Sequence, residues 1–150
     1  MPRVKSESNL EKEELIRKVA EEGTQNILDA ISDECKIIMP SSHVVYEGLD
    51  SVKNNIKEDE KTCPALAYGK SKDFNEKQLK NSRKNFVILR LASVYGYSTD
   101  TARINIMANF FAKTASQNGT LRLFAGGKQI KSLVPLIDCL LYTSDAADES

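Results

Sequence analysis

Three residues of this 150-residue chain have types and spacings that together can move a proton: Ser42, Tyr68 and Lys72. Tyr68 and Lys72 stand four apart in YGKSK. On a helix that spacing puts both side chains on one face, about one turn apart. A phenol, with an unperturbed pKa of about 10, is a poor base near neutrality. An ammonium beside it favours the phenolate. Ser42 follows the apolar run KIIMP, at the C-terminal end of a short buried strand, the edge at which ligands bind in open α/β sheets. A serine hydroxyl there can share a hydrogen bond with the substrate oxygen that the tyrosine protonates or deprotonates. Neither pattern is specific alone: Y-x-x-x-K arises by chance, and Ser-Ser after a strand is usually a turn or a cap.

The elements that must hold these residues follow from the patterning. Ser8 and Glu11 have the spacing of a capping box, and Leu15, Val19, Gly23, Ile27 and Ile31 recur at helical steps, so a helix is expected from there to residue 31, with Gly23 allowing close packing on a sheet and part of the surface it packs against lost with the missing first unit. Residues 36–39 read as a buried strand ended by Pro40. Residues 41–64, with the charged stretch KNNIKEDEK, read as a long surface loop. Residues 65–83 read as a helix with Ala67, Ser71 and Phe74 on one face and its lysines solvated. NFVILRLA, residues 85–92, is the strongest strand signal in the chain. A helix over 104–117 ends at Asn118-Gly119. A short strand is expected over 121–124, a turn at Gly126-Gly127 and one more strand within 131–137. Helix and strand alternate, the pattern of an α/β fold with a parallel sheet and helices on its faces.

Composition narrows the function classes. Lys plus Arg and Asp plus Glu both number 21, so bulk charge argues for neither nucleic acid nor membrane as a partner. Hydrophobic residues at 41% suffice for a core, and no apolar run approaches a membrane span. The N-terminus lacks the apolar stretch of a signal peptide, and a cytoplasmic location is expected. Cys35, Cys63 and Cys139 match no zinc spacing, and with a single histidine no metal site is expected.

Read together and in order, the motifs resemble extended short-chain dehydrogenases/reductases of the NAD-dependent epimerase/dehydratase family. PSSHVVYEG (40–48) is similar to the family's serine segment, YGKSK (68–72) to its tyrosine–lysine motif, and LRLASVYG (89–96) to the following strand and its tail. EGTQNILDA (22–30) resembles the helix before the serine strand, and LFAGGKQIKSLVPLID (123–138) a return segment that helps bind a nucleotide-sugar. The resemblance implies a Rossmann-like, doubly wound parallel sheet, here partial: the later part of a dinucleotide-binding domain and the start of a substrate domain.

It also implies roles. Ser42, Tyr68 and Lys72 would be the catalytic set, with Tyr68, Lys72 and the backbone near Ala92 flanking the cofactor, NAD in preference to NADP. Ser93, Asn105, Phe124 and Lys131 would contact the nucleotide-sugar. Lys131 stands where relatives have arginine, and a lysine lacks the bidentate fork for a diphosphate. Ala20 stands where an asparagine is common, so a cofactor contact is lost. The implied activity is that of a UDP-sugar 4-epimerase. The alternatives within the family are a 4,6-dehydratase, less favoured because Ser42-His43-Val44 has no acidic pair, and another extended short-chain reductase. A non-catalytic dinucleotide-binding sensor or scaffold is the alternative of another class. Members of the family often pair through helices that include the tyrosine-bearing one, which leaves a homodimer open for the full-length protein, but the lysine-rich outer face of residues 65–83 offers little apolar area for it.

No glycine-rich pyrophosphate loop occurs in these residues. Residues 1–138 therefore read as a partial epimerase/dehydratase domain lacking its first βαβ unit, expected to be poorly stable and inactive alone. Residues 139–150 stand apart: CLLYTSDAADE resembles the translation of a sequencing-adapter oligonucleotide and is set aside from fold and function.

Overall fold

The computed structural model describes residues 7–97, 103–128 and 130–140. The chain forms two compact units, Met1–Leu91 and Ala92–Ser150, each described by itself.

The first unit opens with helix α1 (Glu7–Ala30), built mainly from strong helix formers. Glu7 and Ser8 are already helical, so Ser8 is not the cap its spacing suggested. Strand β1 (Lys36–Ser42) runs through Pro40 and includes the two serines. Among the described residues it pairs only with β2, and proline is tolerated on an edge strand. A 3₁₀ turn (His43–Tyr46) follows, with Ser42 as its N-cap. Helix α2 (Ala67–Asn81) and strand β2 (Asn85–Leu91) complete the unit. β1 and β2 are parallel, with Lys36 opposite Asn85 and Ser42 opposite Leu91. The crossover through α2 is the βαβ arrangement that the alternation predicted.

Parity along this register sorts the two faces of the pair. Ser41 and Arg90 lie opposite each other and both reach Glu76 of α2, so the face that also carries Ile37, Met39, Phe86 and Ile88 looks toward α2. The other face carries Ile38, Val87 and Leu89; Ile38 is 62% exposed. The apolar stripe of α1 is likewise open: Leu15 is 61% and Val19 63% exposed. What α1 buries is Leu28, and it is tied to α2 by polar contacts. Gln78 donates to the Glu21 carbonyl at 3.0 Å, and the Asn75 amide joins the Ala20 carbonyl to the Thr24 hydroxyl. Gly23 has nothing within 4 Å of where a Cβ would sit, so it serves no close packing.

The second unit contains β3 (Ser93–Tyr95), α3 (Met107–Ser116), a 3₁₀ turn (Phe124–Gly127) and β4 (Leu133–Pro135). β3 and β4 pair in parallel, Ser93 opposite Leu133. α3 ends as expected at Asn118, which takes φ 53°, while the Gly119 N–H caps the Thr114 carbonyl at 2.8 Å. Residues 121–124 form no strand. The segment turns into the 3₁₀ helix, whose Gly126 and Gly127 adopt φ of 66° and 72°, a geometry outside any strand. The parallel α/β class stands, but among the described residues the strands form two separate two-stranded sheets.

Candidate active site

Ser42 is the last residue of β1, with extended backbone at φ −150° and ψ 148°. Its hydroxyl oxygen accepts from the Val44 N–H at 3.5 Å, a long contact that leaves the hydroxyl proton free to be donated. Tyr68 lies in the first turn of α2 and is 52% exposed, and its phenol has no hydrogen-bond partner among the described residues. Lys72, one turn on, places Nζ 5.7 Å from the Tyr68 ring centroid and donates to the Pro40 carbonyl at 2.8 Å. Of three ammonium protons, that leaves two for a ligand's oxygens.

Gly69 explains how the strand end meets the helix. A Cβ there would lie 3.0 Å from the Val44 carbonyl oxygen and 3.2 Å from Pro64 Cβ. Without a side chain at this position, the turn after Ser42 rests on the first turn of α2, directly beside Tyr68, with neither neighbour having to give way. The turn is held from the other side by Cys63, whose N–H donates to the Val45 carbonyl at 2.7 Å. Val45 is fully buried. His43, next to Ser42, sets Nδ1 3.2 Å from the Leu91 carbonyl at the end of β2.

Sequence reasoning missed a buried polar network beneath these residues. Glu76, 1% exposed, accepts from Ser41 Oγ at 2.6 Å and from Arg90 Nε and Nη2 at 3.0 and 2.6 Å. Arg90 also donates to the Tyr46 hydroxyl and, at 2.9 Å, to the Glu58 carbonyl. Burial by itself would raise the Glu76 pKa; the hydrogen bonds from Arg90 and Ser41 and the charges of Arg90 and Lys80 outweigh it, so the carboxyl is held below its ordinary value. Glu76 in turn raises the Arg90 pKa. Asp73, one helical turn before Lys77, follows the same balance: burial raises, but bonds to Lys77 and Thr62 at 2.6 Å prevail and the pKa is lowered. The sequence signal available was weak: an acidic residue four after Lys72 in a lysine-rich helix, and an arginine inside an apolar strand.

The remaining predicted contacts lie in the second unit. Ala92 joins β2 to β3, and the Ser93 N–H donates to the Ser132 carbonyl at 3.0 Å. Asn105 accepts from Arg103 Nε at 3.2 Å. Phe124 begins the 3₁₀ turn, and Lys131 is an exposed residue two before β4. Asn109, not singled out beforehand, accepts from the Gly96 N–H and donates to the Arg103 carbonyl, both at 3.2 Å. Among the described residues no cluster of His, Cys, Asp or Glu could hold a metal ion, and no helix is long and apolar enough to cross a membrane.

The model of one protein family, described as the RmlD substrate binding domain, matches residues 5–127. No curated protein matches the chain. Among solved structures, the chain is similar to UDP-glucuronic acid 4-epimerase from Bacillus cereus, solved with UDP-glucuronic acid and NAD, at 26% identity and a TM-score of 0.70, covering 85% of this chain and 41% of that one. The Bordetella bronchiseptica enzyme WbmG, solved with NAD and UDP, aligns at 21% identity and a TM-score of 0.66, covering 85% and 39%. UDP-N-acetylglucosamine 4-epimerase from Methanobrevibacter ruminantium M1 aligns at 19% identity and a TM-score of 0.65, covering 79% and 40%. The last two likenesses speak to the fold alone. The chain spans about two fifths of the length of the solved structures it matches.

Proposed function

The chain belongs to the RmlD substrate binding domain family, and from that membership we propose that it is the catalytic segment of an NAD-dependent UDP-sugar epimerase, most similar in action to a 4-epimerase. The glycine-rich loop for the pyrophosphate would be supplied by chain outside these 150 residues. The observation that carries the reading is the convergence of the Ser42 turn with Tyr68 and Lys72 on the first turns of α2.

The residues fit a nicotinamide nucleotide at this edge, because Lys72 retains two donors and the Tyr68 phenol is open. When bound, NAD supplies reversible hydride exchange at a sugar carbon. Lys72 would hold hydroxyls of the cofactor ribose, with its ammonium beside the Tyr68 ring. Tyr68 takes the proton of the sugar hydroxyl and later returns it. Ser42 donates a hydrogen bond to that same oxygen as it becomes a carbonyl. The second unit carries its own candidates by family resemblance, Ala92 for the nicotinamide and Ser93, Asn105, Phe124 and Lys131 for the nucleotide-sugar. A 4,6-dehydratase is the weaker reading, since His43 and Val44 follow Ser42 where an acid would be required.

The test uses the protein carrying this segment together with its dinucleotide loop, incubated with NAD and UDP-glucuronic acid, UDP-glucose or dTDP-glucose. The expected product is the C4 epimer of a UDP-sugar, seen by NMR. Turnover of none of the three, with reduction of an unrelated carbonyl or oxidation of an unrelated alcohol instead, would refute the nucleotide-sugar reading.

A further inference from the structure

Glu76 stands four residues after Lys72 and eight after Tyr68, on the same stripe of α2. Its carboxylate is divided between Ser41 and Arg90, which lie opposite each other one register position before Ser42 and Leu91. Lys72 grips the adjacent Pro40 carbonyl. Two successive turns of one helix therefore hold two successive residues of the strand that delivers Ser42. Arg90 extends the hold past Ser42, because its remaining bonds go to the Tyr46 hydroxyl and the Glu58 carbonyl, in and beyond the 3₁₀ turn. A buried ion pair is weak evidence of stability, since well-packed apolar residues often replace one without loss. Beyond offsetting the largely buried Arg90 charge, what a carboxylate adds here over an apolar pair is the geometry it imposes.

We infer that Glu76 is a positioning residue: by sharing one carboxylate between Ser41 and Arg90, it fixes the strand end bearing Ser42 against the helix bearing Tyr68 and Lys72. A one-residue slip of β1 would turn Ser41 away from Glu76 and carry Ser42 to the opposite face; the network forbids it. The catalytic consequence rests on the function proposed above, whereas the structural consequence does not.

The test compares wild type with Glu76→Gln, Ser41→Ala and the apolar pair Glu76→Leu/Arg90→Met. Amide hydrogen exchange of the chain is followed together with its melt. In Glu76→Gln, residues 41–46 should exchange at least about tenfold faster, as expected when a charge-assisted bond is lost, while α1 stays within about twofold. The apolar pair should regain much of the melt yet leave residues 41–46 fast. Should that pair fail to fold, Ser41→Ala, which leaves the Glu76–Arg90 bridge intact, should give the same local pattern more weakly. In the protein that carries the dinucleotide loop, kcat for the UDP-sugar should fall at least about tenfold with KM nearly constant, the mark of lost transition-state geometry. Uniform acceleration across α1 and α2, unchanged exchange at 41–46 in Glu76→Gln, or an apolar pair that restores both protection and kcat would overturn the inference. A wild-type protein with no turnover would refute the proposed function, and the exchange pattern would still decide the role of Glu76.

Discussion

Replacing Gly69 by alanine sets two known effects against each other at the joint of the site. Alanine at an interior helical position gains up to about 1 kcal/mol over glycine, and Gly69, third in α2, would gain somewhat less. Against that, the new methyl would sit 3.0 Å from the Val44 carbonyl oxygen and 3.2 Å from Pro64 Cβ. Neither neighbour is the far end of a flexible side chain, and the turn is pinned by the Cys63–Val45 hydrogen bond and by buried Val45. Overpacking of this kind costs about 1–3 kcal/mol. The net expectation is a loss of about 1–2 kcal/mol. Gly23→Ala is the matched control: no atom lies within 4 Å, so it should stabilise by about 0.5–1 kcal/mol. Urea titrations of the two variants and wild type, followed by helical circular dichroism in the cold, measure the difference. A Gly69→Ala midpoint equal to or above that of Gly23→Ala would mean the turn yields freely, and the close-approach argument for the site would fail.

Other expectations follow from the same contacts. Glu76 and Asp73 have folded pKa values below their ordinary 4.5 and 3.8, so their contribution is fully present above those values and is lost as pH falls through the lower folded ones; urea midpoints should drop below about pH 5, and Glu76→Gln should flatten that drop, whereas an unchanged slope in the variant would exclude Glu76 as a source. Ile38→Thr removes apolar surface from the open face of the β1–β2 pair, so light scattering should report less self-association at little cost in stability, and scattering equal to wild type would show that this face is not the sticky one. Lys72→Ala should weaken both turnover and NAD affinity in the protein carrying the dinucleotide loop, as read by steady-state kinetics and calorimetry; intact NAD affinity would remove Lys72 from the ribose.

How much of this was visible beforehand depends on the range of each interaction. The Tyr68–Lys72 pair is a four-residue helical relation, and Ser42 at a strand end follows from the apolar run before it, so both were legible locally. The parallel pairing of residues 36–42 with 85–91 was implied by two apolar runs separated by a helix. Glu76 and Arg90 were not, because their bond spans 14 residues and the Ser41 contact 35. In a helix with lysines at positions 70, 72, 77 and 80, Glu76 reads as part of a solvated face. The stripe of α1 was legible as a shared face, but periodicity shows which residues share a face, not whether a partner lies against it, and Leu15 and Val19 are open. Residues 121–124 have strand propensity but no strand beside them, and the paired positive-φ glycines turn the backbone away.

If Ser42, Tyr68 and Lys72 act as one proton-transfer set, turnover depends on the single hydroxyl of Tyr68. Tyr68→Phe keeps the ring, which is half exposed and whose phenol holds no partner among the described residues, so the fold should be unchanged. The measurement is turnover of a UDP-sugar by wild type and variant at saturating NAD, in the protein that carries the dinucleotide loop, with NAD binding measured on the same samples. The expected result is a loss of about 10²–10⁴-fold in kcat, the usual contribution of a general acid–base group, with NAD affinity unchanged. Turnover within a few-fold of wild type would contradict it.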